Sequence, residues 1–91
     1  MEINGQGFET YRIPTTNTFI LIISAKTGFL GCGYFNVEIA NKVGDVCAIV
    51  TGVKTPEDML EAKVIAASQA AAKLGINPGM SGREALLLMN K

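Results

Sequence analysis

Two apolar runs without polar alternation, Phe19-Ile20-Leu21-Ile22-Ile23 and Val46-Cys47-Ala48-Ile49-Val50, constrain this chain more than any other feature. Both are short and rich in β-branched residues, the pattern of a strand covered on both faces. A chain of 91 residues cannot hold two separate cores, so both strands must share one domain spanning residues 1–91. The sheet that carries them asks for cover on each side.

Turn and cap signals place the remaining elements around these runs. Phe8 to Ile13 reads as a first strand, and Pro14 closes it in the manner of an edge position. Pro14-Thr15-Thr16-Asn17 then turns the chain into the central strand, Thr18 to Ser24. A second turn, Lys26-Thr27-Gly28, leads to a third strand, Phe29 to Gly33, as its hairpin partner. Asn36 caps a short helix ending at Gly44, with Val37, Ile39, Ala40 and Val43 as its apolar face.

After the strand Val46 to Val50, Thr55-Pro56-Glu57-Asp58 opens a helix with a threonine cap, proline at the first position and acids in the first turn. Leu60, Val64, Ala67, Ala71 and Leu74 recur at steps of four and three, which predicts one continuous helix up to Gly75. Asn77-Pro78-Gly79 turns the chain again. Ser81 and Glu84 then form a capping box ahead of the apolar stretch Ala85 to Met89.

The order β-β-β-α-β-α-α predicts an α+β fold, with a single mixed, mainly antiparallel sheet of about four strands and three helices. The passage from Phe29 to Val50 brings in a parallel neighbour by a right-handed crossover. So few helices cannot blanket both faces of such a sheet. A subunit interface across one face resolves that shortage, and a hydrophobic content of 48% agrees with shelter in a homo-oligomer.

Composition removes several classes of function. Eight basic and eight acidic residues cancel, and the aromatic residues sit in apolar runs rather than among basic ones, so no nucleic-acid partner is expected. Met1 to Gly7 lacks the pattern of a signal peptide, and no apolar run is long enough to cross a bilayer. A cytoplasmic protein with no membrane partner follows as the expectation, with Cys32 and Cys47 as reduced thiols. Histidine is absent, which removes Cys-His and Ser-His dyads and every histidine metal site. Two cysteines alone make a poor zinc site, so neither metal nor cofactor is expected.

Three places could carry chemistry. Gly31-Cys32-Gly33 exposes backbone beside a thiol that precedes a helix start, where a thiolate would be stabilised. The plainer reading makes Cys32 a small buried hydrophobe, as Cys47 is within its strand. Ser81, Gly82 and Arg83 offer helix amides and a cation to an anion, while the plainer reading is a self-satisfied cap with Arg83 paired to an acid of another element. Lys54 lies between a buried strand's end and a helix cap, a place where α/β proteins assemble sites; a solubilising surface charge is its plainer reading. Lys26, Lys42, Lys63, Lys73 and Lys91 read as solvated charges.

Nucleotide motifs fail on inspection: Asn36 occupies the third glycine position after Gly31 and Gly33, and the run from Gly52 to Lys54-Thr55 lacks its other glycine. The helix start at Thr55 carries Glu57 and Asp58, so an anion is unwelcome there.

Taken together, Gly28-Phe29-Leu30-Gly31-Cys32-Gly33-Tyr34, Val50-Thr51-Gly52-Val53-Lys54-Thr55-Pro56-Glu57-Asp58-Met59-Leu60, Gly75-Ile76 and Gly79-Met80-Ser81-Gly82-Arg83-Glu84-Ala85-Leu86 resemble the YunC-like family, a prokaryotic domain of unknown function. The resemblance runs from about Phe8 to near the end of the chain. It implies a small stand-alone α+β protein in an intracellular setting and brings no activity, cofactor or catalytic residue with it.

Three functional readings follow. The first is an oligomeric module binding a small anionic metabolite through Gly31, Gly33, Lys54, Ser81, Gly82 and Arg83. The second is an enzyme that uses Cys32 as nucleophile or redox thiol, with Glu, Lys, water or the thiolate itself as base. The third is a structural or partner-binding oligomer with no small ligand. Whether Cys32, Lys54 and Arg83 meet in one cleft decides the strength of the first two.

Overall fold

The computed structural model describes every residue, Met1–Lys91. It opens with a hairpin that the sequence reading above omits: β1 (Glu2–Ile3) pairs antiparallel with β2 (Gln6–Gly7). Asn4 and Gly5 both take positive φ at its turn, as a two-residue hairpin loop requires. The hairpin delivers Ile3 and Phe8 into the core.

Five strands then form the main sheet in the order β3 (Glu9–Pro14), β4 (Phe19–Ser24), β5 (Gly28–Gly31), β6 (Val46–Ile49) and β7 (Ala66–Ala67). All neighbours are antiparallel except β5 and β6, whose parallel pairing follows from the crossover through helix α1 (Val37–Val43). Asn36 accepts the Glu38 amide at the start of α1, and Gly44 ends it in the left-handed conformation that favours glycine. The mixed α+β sheet is as expected. Its count is corrected to five strands plus a separate two-stranded hairpin, with four helices.

The main correction concerns the continuous helix expected from Thr55 to Leu74. The chain instead forms α2 (Pro56–Glu61), the short strand β7 and α3 (Gln69–Lys73). β6 explains the break, because its second edge needs partners. Ile65 N–H donates to Ile49 O at 2.8 Å and Ser68 N–H to Cys47 O at 2.9 Å. A straight helix would leave those buried carbonyls unpaired at about 1–3 kcal/mol each, which outweighs the few tenths per residue that helix propensity supplies. The β-branched pair Val64-Ile65 suits the extended path.

Pairing register assigns the two faces of the sheet. Leu21, Ile23, Leu30 and Ala48 point inward, where α2 and the last helix, α4 (Gly82–Met89), cover them with Met59, Leu60, Ala85, Leu86 and Met89. Cys47 and Ile49 point outward and pack with Ala40 of α1, flanked by Phe29 and Phe35. This outer cover reaches only the β5–β6 end. Ile20 and Ile22 of the expected two-sided strand are half-buried, and Tyr11 and Ile13 beside them are exposed. The apolar face expected on α1 is likewise divided: Ala40 is buried, whereas Ile39 and Val43 are 64% and 66% exposed.

Candidate functional site

The parallel strands β5 and β6 end side by side, and the chain leaves both on the same edge of the sheet. Between the exits lies a cleft of about 480 Å³ bordered by Cys32, Gly33 and Tyr34 after β5, and Gly52, Val53 and Lys54 after β6. Thr18 and Phe19, entering antiparallel β4, complete its wall. Ligands of open α/β sheets favour such a crevice, outside the carboxyl ends of parallel strands.

Cys32, Gly33, Lys54 and Phe19 are held by local features. Cys32 is 4% exposed, and its Sγ accepts the Leu21 amide at 3.3 Å, which locks the thiol to the neighbouring strand rather than to a helix terminus. Gly33 packs on the Thr51 methyl. The amides of Gly33, Gly52 and Val53 donate to no group of the chain. The Lys54 amide donates to Asp58 Oδ2 at 3.1 Å, fixing its backbone at the approach to α2, while its side chain is exposed and makes no ion pair. The Arg12 guanidinium stacks on Phe19, 3.8 Å from the ring centroid, and steadies the opposite wall.

The structure therefore brings Cys32, Gly33 and Lys54 to one cleft and places the other candidates elsewhere. Gly31 lies on the outer face of the sheet, where a Cβ would press on the Phe35 ring at 2.8 Å. Ser81 and Glu84 close the capping box on each other. Gly82 is wedged between the Met59 carbonyl and Leu30. Arg83 pairs with Glu61 at 2.7 Å. Helix α2 separates the two regions, with Lys54 ahead of its first turn and Glu61 in its last; six residues of helix span about 9 Å. Thr18, Phe19, Tyr34, Gly52 and Val53 were missed by the sequence reading, and only the position of Gly52 beside Lys54 hinted at one of them.

The second thiol sits on the opposite face. Cys47 is fully buried, and burial first, then the nearby Asp45 charge, push its pKa up to about 11 from the ordinary 9.0. Because the folded value lies above the unfolded one, its contribution is fully present below pH 9. It is lost as pH rises towards 11, where the unfolded thiol ionises and the folded one does not. The melting temperature of the protein is expected to fall more steeply above pH 9 than that of Cys47→Ala; parallel slopes in a pH series of thermal melts would remove this assignment.

Fold and cleft together define a small α+β domain with a solvent-open crevice at the head of its one parallel strand pair. Residues 31–89 match the model of a domain of unknown function, DUF1805, and the chain belongs to that YunC-like family. It is 36% identical over 93 residues to the uncharacterized protein YunC of Bacillus subtilis, covering 98% of this chain and 92% of the Bacillus protein. It also resembles the crystal structure of a protein of unknown function from Thermoplasma acidophilum. That likeness has a TM-score of 0.93 at 43% identity and covers 99% of this chain and 88% of the other.

Proposed function

We propose that this protein is an oligomeric module that binds a small anionic metabolite in the cleft at the ends of β5 and β6. The observation that carries the reading is the meeting of Cys32, Gly33 and Lys54, distant in sequence, around one crevice. Its volume falls within the range of small-molecule sites. Lys54 supplies the cation and the undonated amides near Gly33 and Gly52 supply directional hydrogen bonds, while Phe19, Tyr34 and Val53 offer apolar walls. Arg83 stays outside the proposed site because Glu61 already engages it.

A thermal-shift panel of small carboxylates and phosphates tests this. At least one compound is expected to raise the melting temperature, since ligand at a hundredfold excess over Kd adds about 2.7 kcal/mol. Lys54→Met should abolish that shift and Arg83→Ala should preserve it. A panel without effect, or equal losses in both variants, contradicts the proposal.

The position of Cys32 favours a second reading, in which its thiol acts as a nucleophile on the bound compound. Enhanced reaction with a disulfide reagent at neutral pH, lost in Cys32→Ser, is the expected sign. A rate no greater than that of an ordinary free thiol would leave binding as the function.

A further inference from the structure

Lys54 is not the only unpaired cation beside the cleft. Register pairs Arg12 with Leu21, so its side chain rises from β3 on the inner face of the sheet, the face that carries Phe19 and Cys32. From there it leans along the strand. The guanidinium carbon lies over the Phe19 ring, 3.8 Å from its centroid, two positions nearer the cleft than the residue opposite Arg12. Phe19 itself borders the cleft, which puts the guanidinium at its rim.

No acid of the chain engages this charge. The single ion pair joins Arg83 to Glu61. Glu9, the one carboxylate on β3, pairs in register with Ser24 and so projects from the opposite face, where it accepts the Tyr11 hydroxyl at 2.6 Å. Neither β4, β5 nor the Thr15-Thr16-Asn17 turn carries an acid. Glu57 and Asp58, in the first turn of α2, stand on the Lys54 side, where Asp58 Oδ2 accepts the Lys54 amide at 3.1 Å. The contact with Phe19 uses the ring face alone, and the five guanidinium N–H groups of Arg12 donate to no group of the chain.

The sheet order sets the two cations on opposite sides of the crevice. Lys54 follows β6 and Arg12 stands beyond β4, with the exit of β5 through Cys32, Gly33 and Tyr34 between them. Strands β4 and β6 are two strand spacings apart, about 10 Å. Phe19, Cys32, Tyr34 and Val53 line the space between the charges, and Lys54 is the one acidic or basic side chain in the lining itself. A positive charge at each end of an uncharged middle is complementary to a molecule with an anion at each end. A molecule with one anion satisfies one of the two cations.

We propose that the ligand of the cleft is a short linear molecule with an anionic group at each end, a dicarboxylate or a phosphorylated acid, and that Arg12 is its second anchor. The proposal rests on the cleft reading above and adds the residue that sets the ligand's charge. Lys54 receives one end as a point charge. Arg12 keeps its place over Phe19 and offers its N–H edge to the other end, where a carboxylate or phosphate takes two parallel hydrogen bonds. The Phe19 contact holds the guanidinium in place before binding, so less side-chain freedom is lost than for an arginine free in solvent.

Isothermal titration calorimetry of the whole chain at low ionic strength tests this, with the straight-chain dicarboxylates from malonate to adipate set against their monomethyl esters, and 3-phosphoglycerate set against glycerate as the phosphate arm. In at least one pair the doubly anionic member is expected to bind at least tenfold more tightly than the singly anionic one. Arg12→Gln, at an exposed position, should erase that difference while leaving the weaker member's affinity within twofold, and Arg12→Lys should restore part of it. Circular dichroism and melting temperature verify that both variants are folded. Pairs bound equally well or not at all by the wild type, or an Arg12→Gln variant that retains the preference, overturn the second anchor. Single-anion compounds that still stabilise the wild type but not Lys54→Met would then leave the cleft reading standing, whereas binding indifferent to Lys54→Met removes the cleft itself.

Discussion

Gly82→Ala is expected to lower the stability of this protein by about 3 kcal/mol, and its melting temperature by roughly 10 °C or more. An added methyl would collide with the main-chain carbonyl of Met59 and come within 2.8 Å of Leu30 Cδ2. The obstacle on one side is backbone, so no side-chain rotation relieves it, and α4 must shift away from α2 and the sheet. Its amide also donates to Ala62 O at 2.9 Å, tying the start of α4 to the end of α2. Gly7→Ala provides the comparison, because nothing lies within 4 Å of the added carbon there; a change below about 1 kcal/mol is expected. Equal melting temperatures for the two variants would show that the α2–α4 packing is looser than described. A larger loss for Gly82→Ala than for Gly7→Ala also bears on function, for it assigns Gly82 to packing rather than to an anion.

Ser68→Ala is expected to cost about 2–4 kcal/mol, the sum of a lost helix cap and buried groups left without a partner. Ser68 is fully buried, and its Oγ donates to Asp45 O at 2.8 Å while accepting the amides of Cys47 at 3.0 Å and Ala71 at 3.2 Å. One hydroxyl therefore joins the entry of β6, the exit of β7 and the first turn of α3. Ser81→Ala removes a cap of the same chemistry at the surface, where water replaces the lost oxygen, and should cost about 1 kcal/mol. Urea denaturation of both variants measures the difference; a Ser68 variant no weaker than the Ser81 variant would deny the hydroxyl its role as a junction.

Ser68 also shows why part of the fold escaped the sequence reading. The helical stripe from Leu60 to Leu74 is real as a pattern, yet the free edge of β6 outcompetes it. That edge is a tertiary fact, absent from local periodicity. Local signals that no distant group contests were legible: the Asn36 and Ser81 caps, the Gly44 stop, the β4–β5 hairpin and the parallel passage to β6. The Asn4-Gly5 pair carries a hairpin signal as well, but the two-residue strands that flank it have no periodicity to support it. At the site, residue chemistry singled out Cys32 and Lys54, but their meeting depends on β5 and β6 lying parallel and in register. The opposite fate of Arg83 depends on Glu61, a partner that spacing alone could not identify.

The bare outer face has its own trace in the sequence. The run Phe19 to Ile23 is apolar on both sides, as a strand buried twice would be, while the chain covers only one side of it fully.

Amide chemical-shift mapping shows whether the proposed ligand settles in the cleft at the ends of β5 and β6. Nitrogen-15-labelled protein would be titrated with the panel compound that gives the largest thermal shift. The strongest perturbations are expected on Thr18, Gly33, Tyr34, Gly52, Val53 and Lys54. Perturbations centred on Ser81 to Glu84 and sparing those amides would contradict that placement.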